Sequence, residues 1–461
     1  MFRTTFGSAT PYSEPSWYRG LPSPYYKASH QQLRQAAREW TDTHLMDVPY
    51  EWEEETKVVD PAVYAQAAKD GIVACLAWGN RVPKQWAKPD GTVFGGVKVD
   101  EWDGFHDMIL IDELHRCGSL GVPQGLFGGL QIGCPPIYTY GSPELQARVL
   151  PEIMSGKKRV CLAITEPEAG SDVKNLSCEA KLSEDGQYFV VKYVSYRYLP
   201  GPGLLTANSL WLSHEEMDHK VSLPGIYSDY FTTAVRTSGK PGEQAGISLL
   251  LIPKLEGVVC RRMSMSGQHC AGTTFVTFED VKVPVGNLLG KMGEGFRCVM
   301  SNFNHERLMI IYVAQRLARV CIEDSLNYAN KRKVFGKKLV ESEVIRHKFA
   351  HMARNVEAQQ AWIESVVYQL DNLSKADGNR LLGGTTALLK AHASLTLEIV
   401  AREAVQVMGG IAHTKGGIGE RVERVRRDVK GVAIPGGSEE VLLDQAIKME
   451  VRQSLGVGSK L

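Results

Sequence analysis

The stretch SNFNHERLMI, residues 301–310, places a glutamate near the start of a long apolar segment. The apolar residues that follow Glu306 at helical spacing form one stripe: Ile310, Val313, Leu317 and Val320. The charged residues of the same segment fall on another face, which we expect to be solvated: Arg316, Arg319 and Glu323. A carboxylate on the apolar face of a helix is costly to desolvate, and this raises its pKa toward the range of a general base. The alternative is a solvated glutamate that favours the helix dipole in the first turn.

A second stretch whose residues could bind a ligand is AITEPEAGSD, residues 163–172. We expect a strand to end near Thr165 and the chain to turn at Glu166-Pro167. Gly170 and Ser171 then leave backbone N–H groups and a hydroxyl free to face polar ligand atoms, such as those of a phosphate. The alternative is an ordinary glycine turn.

These candidates need a scaffold, and the hydrophobic periodicity predicts three regions. Residues 1–158 have helical spacing, with a helix-start pattern at Ser142, Pro143 and Glu144. Residues 159–291 contain short runs rich in Val, Thr, Tyr and Phe between turns, which predicts a β-barrel-like domain. Residues 292–461 predict a four-helix bundle, with helices at roughly 297–330, 341–373 and 384–408 and a last helix after Ser438. The expected fold class is α+β.

Composition narrows the functional class. The net charge is +1, from 53 basic and 52 acidic residues, so there is no electrostatic footprint for nucleic acid or an anionic membrane. The longest apolar runs, such as residues 247–252, are too short to span a bilayer. The 9 cysteines form no CxxC pair and the 12 histidines have no ligand spacing, so we expect neither a disulfide framework nor a metal site.

The last three residues are Ser459, Lys460 and Leu461. A C-terminal S-K-L is a peroxisomal import address that a receptor reads. The glycines just before it favour the exposed tail that such a signal needs. We therefore expect a peroxisomal protein.

Three blocks carry a resemblance to a known family: AITEPEAGSD (163–172), YANKRKVFGKKL (328–339) and QVMGGIAHTKGGIGERVERVRRDVKGVAIPGGSEEV (406–441). Together, and in this order, they resemble the acyl-CoA dehydrogenase family, and the helix–β–helix order fits that family over nearly the whole chain. The resemblance implies FAD-dependent removal of two hydrogens from the α and β carbons of an acyl-CoA thioester, giving the trans-2-enoyl-CoA. It also implies a homotetramer or homodimer in which FAD is held partly by a neighbouring subunit, and it suggests a fungal member.

The same resemblance assigns cofactor contacts residue by residue. Thr165 would contact the flavin ring, and Ser171, next to Gly170, would lie near both flavin and CoA. Arg332 and Phe335, which we place on one face of a helix end, would hold the pyrophosphate and the adenosine half of the neighbour's FAD. Gln406, Gly409 and Gly410 follow a helix, and the two glycines would let the adenosine diphosphate approach the backbone. Gly436 and Ser438 complete the expected cofactor contacts in the last loop.

The catalytic base departs from the commoner family pattern. Many members carry it as a glutamate in the last block, where this chain has Gly436. A subset that includes the isovaleryl- and long-chain acyl-CoA dehydrogenases has the glutamate on the first helix of the C-terminal bundle instead, followed by Arg. Glu306 and Arg307 match that pattern, so the resemblance makes Glu306 the expected base and places Asn304 and Arg307 near the acyl-CoA. His305 has no assigned role and is expected at the surface.

Residues 192–225 do not fit the family pattern. Between the strands that flank them the family has a short turn containing KWITNG, whose Trp and Thr contact the flavin. Three interpretations remain open. Trp211 and Ser213 could supply the Trp and the hydroxyl from an insertion, the stretch could be a lineage-specific loop, or it could be a retained intron.

The leading prediction is a peroxisomal acyl-CoA dehydrogenase of a secondary-metabolite or fatty-acid pathway. Its electron acceptor would be an electron-transfer flavoprotein or oxygen. The alternatives are a flavin oxidase that uses oxygen on an acyl-CoA-like substrate and a catalytically silent protein that binds flavin or acyl-CoA. The sequence does not define the acyl group.

Overall fold

The computed structural model describes residues 6–193 and 220–455. Helices precede a central sheet, and a helical bundle follows it. The predicted α+β class and the order of its three parts are confirmed. Helices extend to Met154, strands of the sheet lie between Val160 and Leu289, and helices resume at Gly295. The domain boundaries at 158 and 291 stay a prediction. In the part of the chain that the structure describes, no helix combines the length and the apolarity that a bilayer span requires.

The described part of the N-terminal region contains seven α-helices, with 3₁₀ turns in some of the connections and a π-helical turn (Glu51–Glu55) between the first two. They are α1 (Ala28–His44), α2 (Pro61–Asp70), α3 (Ile72–Trp78), α4 (Gly104–Leu114), α5 (Gly121–Gly133), α6 (Pro135–Tyr140) and α7 (Pro143–Met154). Ser142 begins α7 as predicted, because its hydroxyl accepts a hydrogen bond from the Leu145 backbone N–H at 3.2 Å and Pro143 takes the first position.

Helix α5 has two distinct faces. Glycines 125, 129 and 133 recur every four residues and lie against backbone. A Cβ at Gly129 would approach the Val160 carbonyl oxygen to 1.8 Å, so only glycine allows this helix to lie so close to the first strand of the sheet. The opposite face carries Gln124, Phe127 and Gln131.

The central strands are β1 (Val160–Ala163), β2 (Cys178–Leu182), β3 (Tyr188–Tyr193), β4 (Lys220–Leu223), β5 (Tyr230–Arg236), β6 (Ile247–Pro253), β7 (Val258–Arg262), β8 (Thr274–Phe278), β9 (Val281–Pro284) and β10 (Leu288–Leu289). Their pairing follows the order β7-β8-β4-β1-β5-β2-β3-β9, and β5 also pairs with β6, which pairs with β10. Buried side chains from strands far apart in this order, including Phe189, Phe231 and Phe278, share one core. The sheet therefore curls around its own interior.

The stretch 192–225 is only partly irregular. Residues 220–223 are strand β4, which pairs with β1 on one side and with β8 on the other. Lys220 is fully buried and forms an ion pair of 2.5 Å with Glu166. The sheet therefore reaches into this stretch from both sides, because β3 extends to Tyr193 and β4 begins at Lys220. Residues 194–219, which include Trp211 and Ser213, lie outside the described residues.

The C-terminal region contains α8 (Gly295–Met300), α9 (Phe303–Lys331), α10 (Glu343–Asp371), α11 (Lys375–Met408), α12 (Glu420–Ala433) and α13 (Glu439–Ser454). A two-stranded hairpin, β11 (Lys333–Val334) and β12 (Lys337–Lys338), follows α9. The predicted bundle is confirmed. Helix α11 begins at Lys375 rather than at 384, and α12 was not predicted.

The predicted start of α11 is wrong because two glycines lie inside this helix. Gly383 and Gly384 favour a helix start after them, yet they lie within the helix. A Cβ at Gly383 would meet the Met449 methyl at 2.6 Å, and one at Gly384 would lie 3.2 Å from the Ala446 carbonyl oxygen. The glycines therefore allow α11 and α13 to pack closely, and this gain outweighs their low helix propensity.

Helix α9 is buried on nearly all sides, which corrects the expectation of a solvated face. Arg316 is 2% exposed and pairs with Glu14 and Asp112, and Arg319 is fully buried and pairs with Glu357. Partners distant in sequence compensate the burial of these charges. The periodicity of α9 correctly separated two faces, but it could not show that charged partners cover the second face.

Candidate active site

Glu306 lies in the first turn of α9 and is 8% exposed. Its Oε2 atom has no hydrogen-bond partner among the described residues. Burial raises the pKa of Glu306 to about 7, although Arg307 and Lys390 lower it. The carboxyl group is therefore poised to exchange a proton near neutral pH.

Two cations beside Glu306 hold the loop between α12 and α13. The Arg307 Nε donates to the Gly436 carbonyl oxygen at 3.0 Å. The Lys390 Nζ donates to the carbonyl oxygens of Ala433 at 2.6 Å and Gly437 at 2.8 Å. Burial lowers the pKa of Lys390 to about 8; Arg307 also lowers it, while Glu306 raises it. Sequence reasoning missed Lys390, because a lysine in the middle of α11 has no local sign of its partners.

Gly436 packs closely against α9, the helix that carries Glu306. Its φ of +71° favours glycine, and a Cβ there would lie 2.9 Å from the Ile310 Cδ1 atom. The loop therefore closes over the apolar stripe of α9. Ser438 follows at the N-cap of α13 without a side-chain capping bond.

Three residues next to Glu306 in the sequence make contacts inside the protein: Asn304, His305 and Arg307. The Asn304 amide donates to Asn379 at 3.0 Å, and the Arg307 Nη2 donates to Gln445 at 2.9 Å. His305 is half-buried rather than at the surface, and burial lowers its pKa to about 4. Its ring lies 2.4 Å from where a Cβ of Gly79 would be, so a glycine makes room for it. No local sequence pattern indicates this long-range contact.

An apolar cavity lies along α9 beyond Glu306. Its walls include Leu76, Leu114, Phe127, Met309, Ile310 and Val313. Ile310 and Val313 follow Glu306 by four and seven residues, so they share its face at about 6 and 10 Å along the helix. The Glu306 carboxyl group is thus about one helical turn from a cavity whose apolar walls suit a hydrocarbon chain.

The AITEPEAGSD turn has exposed and buried components. Thr165, Gly170 and Ser171 are exposed, and a Cβ at Gly170 would meet no atom within 4 Å. Glu166 is buried and accepts hydrogen bonds from the backbone N–H groups of Ser177 (2.6 Å) and Cys178 (3.2 Å). The Glu166 hydrogen bonds hold the turn on its buried side. The exposed polar groups of the turn can then bind a ligand.

Strand β4 lies beside Thr165, since the Val221 N–H donates to the Thr165 carbonyl oxygen at 2.8 Å. Its sequence KVSLPG, residues 220–225, has the Lys and the Gly of the KWITNG motif at the same spacing. In that register Val221 and Leu223 stand where the motif has Trp and Thr. This partial match was available in the sequence, but the long stretch before it obscured the alignment.

Arg332 and Phe335 do not share a helix face, which corrects the prediction. Helix α9 ends at Lys331, and Arg332 is already extended at its C-cap. Phe335 and Gly336 both have positive φ and form the two-residue turn between β11 and β12. The Phe335 side chain is fully exposed to solvent on this chain.

The residues after α11 also present an open surface. Gln406, Gly409 and Gly410 are exposed, and a Cβ at either glycine would meet nothing within 4 Å. Packing within this chain therefore does not require a glycine at Gly410, where φ is not positive. Open space over two adjacent glycines fits the close approach of a phosphate-bearing ligand.

Three side chains in the N-terminal region lie close enough to hold a cation: His30, Asp103 and His106. Their contacts have a structural explanation. Asp103 is the N-cap of α4 and accepts hydrogen bonds from the backbone N–H groups of Phe105 (3.1 Å) and His106 (3.3 Å). Its Oδ1 also lies 2.9 Å from the His30 Nε2. The absence of a metal site stays a prediction.

Comparisons with known proteins agree with the motifs. Family models described as acyl-CoA dehydrogenase N-terminal and C-terminal domains match residues 27–157 and 293–449. The acyl-CoA dehydrogenase apdG of Emericella nidulans is 41% identical over 96% of both chains, and AFT10-1 of Alternaria alternata is 38% identical over the same shares. A solved Mycobacterium smegmatis protein assigned to the acyl-CoA dehydrogenases has a TM-score of 0.77 at 26% identity, covering 95% of this chain and 100% of that one.

The C-terminal model covers the second and third sequence blocks, and both fungal relatives align over nearly the whole chain. The chain belongs to the acyl-CoA dehydrogenase family and is an FAD-dependent oxidoreductase.

Proposed function

We propose that this chain dehydrogenates an acyl-CoA thioester between its α and β carbons, with Glu306 as the general base. The observation that carries the proposal is the buried Glu306 carboxyl group. One of its oxygens has no partner among the described residues, and it lies one helical turn before Ile310 in the wall of an apolar cavity. A base must lie within hydrogen-bond reach of the proton that it takes, and its pKa should be near the working pH. Glu306 meets the second condition, with a pKa of about 7.

Residues of this chain fit the cofactor. Thr165, Gly170 and Ser171 offer exposed polar groups and open space at the end of β1, where the flavin ring would bind. Gln406, Gly409 and Gly410 offer a second open surface for the adenosine diphosphate half, with Arg332 and Phe335 on another exposed segment. Bound FAD supplies the acceptor for the hydride from the β carbon.

Two neighbouring cations adjust the pKa of the proposed base. Arg307 and Lys390 lower the pKa of Glu306 against the larger effect of burial. Both cations also fix the 433–437 loop through backbone carbonyls. The apolar cavity walls would exclude water from the reacting carbons, which strengthens electrostatic interactions at the site.

An acyl-CoA panel tests this function. The flavin-loaded protein is mixed anaerobically with straight, branched and long-chain acyl-CoA esters, and loss of the oxidised flavin absorbance is followed. The proposal expects bleaching by at least one ester with formation of its trans-2-enoyl product. Flavin that stays oxidised with every ester, although the esters bind, would support a silent binding protein. Val221 and Leu223 at the Trp and Thr places of KWITNG favour that second candidate.

The electron acceptor is a separate question with two candidates. An electron-transfer flavoprotein would make the chain a dehydrogenase, and oxygen would make it an oxidase. After reduction by substrate, rapid reoxidation in air would indicate the oxidase. Slow reoxidation in air that an added electron-transfer flavoprotein accelerates would indicate the dehydrogenase, which we favour.

We further propose a homodimer or homotetramer that shares its cofactor between subunits. Phe335, Gly409, Gly410 and Ile418 are exposed on this chain, although they include two large apolar side chains. Exposed apolar residues beside open glycines are typical of a surface that a partner or ligand covers. Sedimentation of the flavin-loaded protein tests this proposal, and a monomer that keeps full flavin occupancy would contradict it.

We also propose that the chain works in peroxisomes, in a secondary-metabolite or fatty-acid pathway. The support is the Ser459-Lys460-Leu461 tripeptide, which lies outside the described residues. A fluorescent fusion that keeps this tail should give punctate signal, and removal of the three residues should make it diffuse. Punctate signal without the tail would contradict the proposal.

A further inference from the structure

The cavity beyond Glu306 contains polar atoms that an alkyl chain would leave unsatisfied. Its lining includes His115, Gln124 and Gln131 among apolar side chains. The His115 Nε2, the Gln124 Oε1 and the Gln131 Nε2 are buried and have no hydrogen-bond partner among the described residues. Burying a polar atom without a partner is costly, so three such atoms in one cavity indicate a ligand that pairs with them.

Gln131 is the most informative of the three. It is 5% exposed and lies on the face of α5 that looks away from the sheet, because glycines 125, 129 and 133 occupy the face against β1 and its neighbours. Phe127 and Gly128 on the same side also line the cavity. An amide at this position therefore faces the slot, where a leucine would serve a plain hydrocarbon chain better.

His115 supplies a hydrogen-bond acceptor to the cavity. Its Nδ1 lies 2.8 Å from the Ile111 carbonyl oxygen, so Nδ1 carries the proton and donates there. Burial lowers the pKa of His115 to about 4, so the ring is neutral near pH 7 and Nε2 is a hydrogen-bond acceptor. Together with the donor of Gln131, the cavity offers both an acceptor and a donor. A hydroxyl group can satisfy both.

We propose that the acyl group of the substrate carries a hydroxyl or similar oxygen function beyond its β carbon, which His115 and Gln131 recognise. The inference rests on the proposed function, because it takes this cavity as the acyl slot. Met309, Ile310 and Val313 of α9 place the cavity one to two turns beyond Glu306. The oxygen function therefore lies several carbons from the reacting α carbon.

The test compares a straight-chain acyl-CoA with the same chain hydroxylated beyond the β carbon. Flavin reduction rates and dissociation constants from calorimetry are measured for the parent, for Gln131→Met and for His115→Phe. Met309→Leu is the matched control, because it changes the same cavity without a polar group and conserves volume. The parent should prefer the hydroxylated ester roughly 10-fold or more. Each polar-to-apolar variant should reduce that preference several-fold, and the control should keep it.

Equal rates and affinities for both esters in the parent, with no change in Gln131→Met, would overturn the inference and indicate that water satisfies these atoms. Calorimetry separates this result from failure of the proposed function. Preferential binding of the hydroxylated ester without flavin reduction would support the recognition and contradict the dehydrogenase activity. If one variant does not fold, the other carries the comparison, since His115 and Gln131 lie on different segments.

Discussion

The Arg307 Nε donates a hydrogen bond of 3.0 Å to the Gly436 carbonyl oxygen. This contact joins the residue next to the candidate base to the loop where many family members carry their base. In this chain the loop brings a glycine backbone against α9, and the carboxyl group that we propose as the base belongs to Glu306 on the helix itself. The two segments that can supply a base are therefore physically linked, and Lys390 fastens the same loop from α11.

Removing the Glu306 charge should change how stability depends on pH. The pKa of Glu306 is about 7 in the folded chain against 4.5 for an ordinary glutamate. Well below pH 4.5 the group is protonated in both states. Between pH 4.5 and 7 the folded chain holds the proton more tightly than the unfolded chain, so stability falls as the pH rises through this window and levels off above pH 7. We expect Glu306→Gln to be more stable than the parent by less than about 1 kcal/mol at pH 5 and by roughly 3 kcal/mol at pH 8.

Thermal unfolding of the flavin-loaded proteins at both pH values measures this effect. Glu440→Gln, an exposed carboxylate in the first turn of α13, serves as the control and should follow the parent at each pH. If the stability difference between Glu306→Gln and the parent is the same at pH 8 as at pH 5, the Glu306 carboxyl group is not a desolvated charge.

Lys390→Met should raise the pKa at which the reductive reaction switches on. The Lys390 ammonium group lowers the pKa of Glu306. Without it, the effect of burial should raise the pKa of Glu306 further. The variant also leaves the carbonyls of Ala433 and Gly437 without their donor, and its melting temperature should fall. The readout is the pH profile of flavin reduction, where the parent should rise with an apparent pKa of about 7. Lys430→Met removes an exposed partner of Glu398 and should leave the profile unchanged. An unshifted profile in Lys390→Met would mean that this lysine acts on the loop alone.

Three glycine-to-alanine changes separate packing from ligand contact. Gly436→Ala should destabilise the protein by about 1–2 kcal/mol, because its φ is +71° and its Cβ would meet Ile310. Gly170→Ala and Gly410→Ala have open space around the new methyl group and no positive φ, so their apo forms should melt within about 1 °C of the parent.

Their flavin affinity should nevertheless fall if a cofactor lies over these glycines. Flavin content after purification and a dissociation constant from FAD titration give the measurement. Gly286→Ala, which also has open space and lies away from these segments, is the control. Unchanged affinity in both variants would remove these glycines from the cofactor site.

The sequence predicted those parts of the fold and the site that depend on local patterns. The stripe after Glu306 identified the buried face of α9, and Ser142 with Pro143 identified the start of α7. The buried Arg316 and Arg319 were wrongly assigned to a solvated face, because their partners Glu14, Asp112 and Glu357 are remote in sequence. Ion pairs of this kind leave no periodic signal in the helix that contains them.

Positions that depend on the meeting of two elements were also missed. Gly383 and Gly384 favour a helix end by propensity, but the approach of α13 makes them packing sites within α11. Phe335 continues a helical spacing from Arg332, yet positive φ at Phe335 and Gly336 forms a hairpin turn. The polar atoms of His115 and Gln131 could be recognised only after folding brought α5 and α9 to opposite sides of one cavity.

The most direct test of the account is the anaerobic rate of flavin reduction in Glu306→Gln. The change keeps the size and polarity of the side chain and removes the proton acceptor. General-base catalysis contributes typically about 10²–10⁴-fold, so the rate with the best acyl-CoA of the panel should fall at least 100-fold while flavin content and acyl-CoA affinity persist. Glu440→Gln should reduce its flavin at the parent rate. A Glu306→Gln protein that bleaches as fast as the parent would contradict the assignment and leave Glu306 as a packing residue of α9.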